Sequence, residues 1–260
     1  MVRHTTDKTW LRVIRTDRVW QLMIGNLLVF LGVRIALWCG VAEATLVNSL
    51  TLSADFSTVI THPWTLIVYM FTQYDVFHFT FNMMWLWIFG IMIMRFMVAG
   101  RTIIASYLIG GLFAAVVWII LGATGVAQGV LMGSSAAVLA VMASAGVILW
   151  RRRVEMMLFG EVQVRWLALG VIVLCMLTDG TVQGAATVAV HMAGVVAGIL
   201  IGVWNNLRLR LVRKRYEALG SDDQAELDAL LKKVHNGGYG ALSSHEKQRL
   251  FAISSRLSRK

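Results

Sequence analysis

In an otherwise apolar stretch, HFTFNMMWLWIFG at residues 78–90, a histidine and an asparagine stand four positions apart. On a helix, His78 and Asn82 share one face, and a chain in lipid rarely keeps such groups without a use. Two more polar residues sit in similar company: Ser135, in GSSAAV at 133–138, and His191, which opens HMAGVVAG at 191–198. A serine hydroxyl is a weak nucleophile that needs an adjacent base, and neutral imidazole is suited to that task. Gly133, two residues before Ser135, permits a tight backbone. A helix beginning there offers unpaired N–H groups and a positive dipole end to a developing oxyanion. His78 and Asn82 are then side-chain donors to that same oxyanion. A zinc site would need more ligands than two histidines, so no metal is expected, and a serine–histidine mechanism calls for no organic cofactor. Singly, each residue is ordinary: a membrane-helix serine commonly bonds its own backbone, and one histidine can serve as a helix–helix hydrogen bond. The combination carries the chemistry.

These residues need lipid-spanning elements to position them. Of the 260 residues, 58% are hydrophobic, and there is a single proline. A soluble chain is about half apolar and richer in charge, so the composition predicts an all-α polytopic membrane protein. Apolar runs predict six spans, near 19–41, 77–97, 102–122, 133–150, 164–178 and 184–206, each set against the roughly 20 residues a bilayer requires. The formal net charge of +10 is distributed by loop. Five basic residues lie in the first 18 positions, four arginines (151, 152, 153 and 165) surround one short loop, and Arg208 to Arg215 follow the last span. Residues 42–94 hold no Lys or Arg, and 123–132 are uncharged. This alternation is the positive-inside pattern and puts both termini in the cytoplasm. It also argues against a nucleic-acid partner.

The N-terminus, MVRHTTDKTWLRVIRTDR, is too long and charged for a simple signal peptide. Residues 1–17 are read as a basic cytoplasmic segment, 18–206 as the membrane domain and 207–260 as a cytoplasmic tail. In the long first outer loop, HPWTLIVYMFTQYD is too short to span. It is expected to lie partly in the membrane interface, with Trp64 and Tyr69 as anchors. Arg34 either pairs with an acid of this loop or snorkels to the surface. Cys39 and Cys175 have no metal-site spacing and read as small apolar packing residues. In the tail, SDDQAELDALLKKVHNGGYG has the acids of a helix start and a Gly-rich stop. SSHEKQRLFAIS follows with a capping box, Ser243 to Glu246. Together they predict a helical hairpin.

In this topology spans two, four and six all run inward, so His78, Asn82, Ser135 and His191 gather in the outer leaflet. His191 lies roughly 10 Å below the outer end of its span at 1.5 Å per residue. Gly194, Gly198 and Gly202 recur every fourth residue, a small-residue face that lets backbones approach closely. Close approach of spans four and six would bring Ser135 to His191.

These elements resemble the rhomboid family of intramembrane serine proteases: HFTFN in span two, GSSAAV in span four and HMAGVVAG in span six, over roughly residues 18–206. The resemblance implies Ser135 as nucleophile and His191 as general base of a Ser–His dyad, with His78, Asn82 and the Ser135 N–H as the oxyanion hole. It implies a membrane-embedded first loop, lateral access of substrate beside span five, and cleavage in or near the transmembrane segments of membrane proteins, in a bacterial inner membrane with the site facing outward. Two positions depart from the family pattern: Ala136 replaces the glycine after the serine, and Ala193–Gly194 replaces a glycine pair. Ser134 is a rival nucleophile on position alone. A catalytically silent relative that binds membrane-protein clients is the alternative, although such relatives lose the serine or histidine. A transporter or channel would need a polar stripe through the membrane, and the inner halves of these spans are nearly all apolar.

Overall fold

The computed structural model describes residues 18–96, 100–156, 160–182, 184–237 and 239–257. The expected basic N-terminal segment 1–17 lies outside them. The chain divides into two compact units, Met1–Asn205 and Asn206–Lys260.

In the first unit, α1 (Arg18–Trp38) leads into a loop that folds as three short helices, α2 (Glu43–Leu50), α3 (Phe56–Thr61) and α4 (Thr65–Val68), with a 3-10 turn at Tyr69–Phe71. Then come α5 (Val76–Arg95), α6 (Arg101–Ala123), α7 (Ser135–Ile148), α8 (Val164–Val182) and α9, which begins at Ala185. The strands are minor. Leu52–Ser53 (β1) pairs antiparallel with Val130–Leu131 (β2), and Arg153–Met156 (β3) pairs with Gly160–Gln163 (β4).

Four helices are long and apolar enough to cross a membrane: α1, α5, α6 and the Ala185–Val212 part of α9. Two apolar helices are shorter, Ser135–Ile148 and Val164–Leu177. The expected span 133–150 is thus a 14-residue helix, about 21 Å long at 1.5 Å per residue against roughly 30 Å of hydrocarbon. It tolerates that length because protein surrounds it: every residue from Ala136 to Gly146 is buried.

Small residues make this central position possible. A Cβ on Gly110 of α6 would lie 2.2 Å from the Ala140 Cβ, and one on Gly146 of α7 would lie 3.1 Å from the Ala168 Cβ of α8. On α9, a Cβ at Gly194 would stand 2.3 Å from the Ala136 carbonyl oxygen, and at Gly198 2.1 Å from that of Ala140. The predicted small-residue face therefore packs on α7, backbone to backbone.

The first loop is tied down by side chains. Asp55 caps α3 by accepting from the Ser57 N–H. Bonding from the Ser57 hydroxyl, then from its backbone and the Thr58 hydroxyl, holds the Asp55 carboxyl below its ordinary range. The Trp64 indole donates to the Ser49 carbonyl at 2.9 Å and the ring is half exposed. Tyr69 corrects the expectation of a second interfacial anchor. Its side chain is 1% exposed and its hydroxyl donates to the Gly111 carbonyl at 2.7 Å. It is a core residue that ties the loop to α6. Arg34 donates to the Tyr74 carbonyl rather than pairing with an acid. Cys39 is exposed, so only Cys175, partly buried, fits the packing role.

The expected new helix near Ser221 does not begin there; α9 is continuous from Ala185 to Gly237. No proline interrupts the run, and one interior glycine such as Gly220 costs only about 1 kcal/mol. In the second unit, α10 (Ser244–Leu257) returns along the end of α9. Lys233 pairs with Glu246 at 2.7 Å and Arg249 with Glu226 at 2.7 Å. The capping box is present in full: Ser243 N–H donates to Glu246 at 2.8 Å, and Glu246 N–H donates to the Ser243 hydroxyl at 3.2 Å.

Candidate active site

The N-terminus of α7 organises the site. Gly133 has φ +112°, a left-handed conformation that side chains rarely adopt, and its N–H donates to the Tyr69 carbonyl at 3.0 Å. The turn at Gly133 lets the chain enter α7 with Ser135 as its first helical residue. The Ser135 N–H therefore has no partner four residues back within the helix. The Ser135 hydroxyl stands 2.7 Å from the Nε2 of His191, which is 4% exposed.

His78 and Asn82 arrive from the start of α5, whose first turn is fixed by Asp75 accepting from the His78 N–H at 2.6 Å. A Cβ built on Gly133 would meet the His78 Cε1 at 3.4 Å and the Ser135 hydroxyl at 3.9 Å. Ring and hydroxyl thus face the same small space beside Gly133. Asn82 is buried, and its amide nitrogen donates to the Gln73 side-chain oxygen at 3.0 Å. Ser134, the positional rival, turns away from His191. Its hydroxyl is wholly buried and accepts from the Gln73 amide at 3.0 Å.

Two cavities meet at these residues. One, of about 420 Å³, lies between α5, α7 and α8 and is walled by apolar side chains such as Phe81, Trp85, Val138, Leu174 and Met142. The other, of about 340 Å³, lies toward the loops and is lined by Gln73, Tyr74, Asp75 and Thr187 among others. His78, Ser135 and His191 line both. Among the described residues no group of three or more His, Cys, Asp or Glu could hold a metal ion.

The five residues singled out by type and spacing are therefore brought together. Sequence reasoning missed Gln73 and Asn26, which continue the polar contacts behind Asn82 and Ser134. Their only signal was an amide in an apolar setting, Asn26 within a span and Gln73 in the loop, with no spacing to link them.

Fold and composition define an all-helical, polytopic integral membrane protein. The model of the Rhomboid domain matches residues 61–206, and a family of unknown function, DUF6576, matches 212–256. The chain belongs to the rhomboid family. Comparison with curated proteins finds no match.

Proposed function

We propose that the protein is an intramembrane serine protease that cleaves peptide bonds in or near transmembrane segments of other membrane proteins. The observation that carries this reading is the 2.7 Å contact between the Ser135 hydroxyl and His191 Nε2, at a helix N-terminus where an apolar and a polar cavity meet.

The Ser135 Oγ attacks the peptide carbonyl carbon while His191 Nε2 takes its proton. The carbonyl oxygen becomes an oxyanion held by the Ser135 N–H, His78 and Asn82, donors aimed where charge develops. Collapse breaks the C–N bond, His191 passes its proton to the leaving nitrogen, and an acyl ester on Ser135 remains. Water then attacks the ester with His191 again as base, releasing a carboxylate product and the free hydroxyl. The apolar cavity suits an unwound stretch of substrate arriving past α8, and the polar cavity suits the water of the second step. No step calls for a metal or cofactor.

Further expectations complete the proposal: six crossings counting α7 and α8, cytoplasmic termini by the distribution of basic residues, a site opening to the outer side of a bacterial inner membrane, and a cytoplasmic tail from about residue 207. The test is cleavage of a single-span model substrate by purified protein in liposomes, comparing wild type with Ser135→Ala and His191→Ala. Cleavage abolished by both substitutions supports the dyad. Cleavage surviving Ser135→Ala defeats it, and folded wild type inert toward several substrates favours a client-binding relative.

A further inference from the structure

Behind the site runs a buried chain of neutral side chains, and its polarity can be worked out from one end. Asn26 donates through Nδ2 to the Leu22 carbonyl at 2.9 Å. Tyr107 donates to the Met70 carbonyl at 2.8 Å. Carbonyls only accept, so the Asn26 amide is fixed with its nitrogen toward Leu22. The Tyr107 oxygen accepts from Asn26 Nδ2 at 3.0 Å, and its own proton also lies within reach of Asn26 Oδ1 at 3.1 Å. The Asn26 side-chain oxygen then faces Gln73 Nε2, at a long 3.5 Å, and that nitrogen also donates to Ser134 at 3.0 Å. Only the oxygen of Gln73 is left for Asn82, whose Nδ2 lies 3.0 Å away. Reversing the Asn82 amide would set two acceptor oxygens against each other in a buried site, where an unmade hydrogen bond is costly.

We infer that Gln73 is a positioning residue: it sets the direction of the Asn82 amide and ties it to Ser134, the residue before the nucleophile. One hydrogen of Asn82 Nδ2 is held by Gln73, and the second is the one presented to the oxyanion. Gln73 itself, 2% exposed, touches no reacting atom. The inference rests on the protease reading above and specifies how its oxyanion hole is kept in one orientation.

The test is a kinetic cycle on the full-length protein in liposomes with a single-span substrate, using wild type, Gln73→Met, Asn82→Ala and the double variant, each checked for a cooperative thermal transition. Gln73→Met keeps the volume but removes the acceptor. Its kcat should fall about tenfold, a fraction of the 10²–10³ lost with a whole oxyanion donor, while KM stays within about twofold, as expected for an interaction made in the transition state. The double variant should be no slower than Asn82→Ala, because Gln73 acts through Asn82. Gln73→Glu, held neutral by burial because an ion there is costly to desolvate, keeps an acceptor for Asn82 and a hydroxyl donor for Ser134 in the same volume and should stay within about threefold of wild type. Wild-type kcat in Gln73→Met or in Asn82→Ala, or losses that multiply in full, overturns the inference while leaving the dyad standing. Should Gln73→Met fail to fold, Gln73→Glu decides: a loss of about tenfold or more overturns the inference. Wild type no faster than Ser135→Ala removes the protease reading itself, a different result from any of these.

Discussion

The distance between α7 and α9 sets the distance between the two members of the proposed dyad, and a single methyl group tests that dependence. Gly194 follows His191 by three residues, within one helical turn. Its missing side chain lets the α9 backbone lie against Ala136, the residue after Ser135. A Cβ there would stand 2.3 Å from the Ala136 carbonyl oxygen and 2.9 Å from its carbon, where ordinary contact begins at 3.4 Å. Both atoms are backbone, so no rotamer can relieve the clash, and the helices must separate by about 1 Å, a misplacement that can cost 10²-fold in rate. The hydroxyl–imidazole contact, now 2.7 Å, would open beyond hydrogen-bond reach. Gly194→Ala should therefore lower kcat about 100-fold, equivalent to about 2.7 kcal/mol of transition-state stabilisation. Overpacking should also reduce stability by about 1–3 kcal/mol. Gly32→Ala is the control, because nothing lies within 4 Å of a Cβ at that position. Gel-based cleavage and thermal unfolding of the same samples separate the two effects. A folded Gly194→Ala protein with wild-type kcat would refute the claim that this packing distance controls the chemistry.

Other expectations follow from individual contacts. Tyr69→Phe deletes the buried donor to the Gly111 carbonyl and should destabilise by about 1 kcal/mol, read as a lower unfolding midpoint; an unchanged midpoint would mean the loop is held without it. Ser243→Ala removes the hydroxyl that accepts from the Glu246 N–H at the start of α10 and should cost about 1 kcal/mol, seen as roughly fivefold faster hydrogen exchange over the first turn with cleavage unaffected. Bonding to Lys233, then to the Ser243 N–H, depresses the Glu246 carboxyl from its ordinary 4.5 to about 2. A depressed carboxylate stabilises above its unfolded value and loses that contribution as pH falls. The tail hairpin should therefore loosen between about pH 4.5 and 2, and Glu246→Gln should flatten that dependence in exchange measurements.

The candidate site was legible because the proposed chemistry demands rare residue types in lipid. Two histidines, an asparagine and a glycine-preceded serine stand out against Leu, Val, Ile and Ala, and the positive-inside pattern supplied a common depth. The glycine face of α9 was legible for the same reason: a four-residue period survives without knowledge of the partner. What escaped depended on contacts between distant residues. Gln73 meets Ser134 across 61 positions and Asn26 across 47, and no local spacing encodes such a meeting. Tyr69 was misread because an aromatic beside an apolar loop has the same local signature at a membrane interface as in a core. Its placement is decided by Gly111 on α6, where a Cβ would stand 2.6 Å from Met70. The unbroken α9 was missed because acids after a glycine mimic a helix start when the preceding helix has nowhere obvious to go.

Neutrality is the common property of the groups that organise this site. The buried chain from Asn26 through Tyr107, Gln73 and Ser134 to Asn82 contains amides and hydroxyls but no charge. An ion in that position would carry a desolvation cost of several kcal/mol, whereas neutral donors and acceptors pair one with another at much smaller cost. Neutral amides, however, can be reversed end for end at little cost when nothing opposes it, and a reversed amide presents an acceptor where a donor is needed. Anchoring the chain on the Leu22 and Met70 carbonyls removes that freedom, since neither can act as a donor. On the proposed mechanism the oxyanion appears where the free Asn82 hydrogen points, with the matching positive charge on His191. The price in conformational entropy is met once, on folding, and does not recur with each turnover.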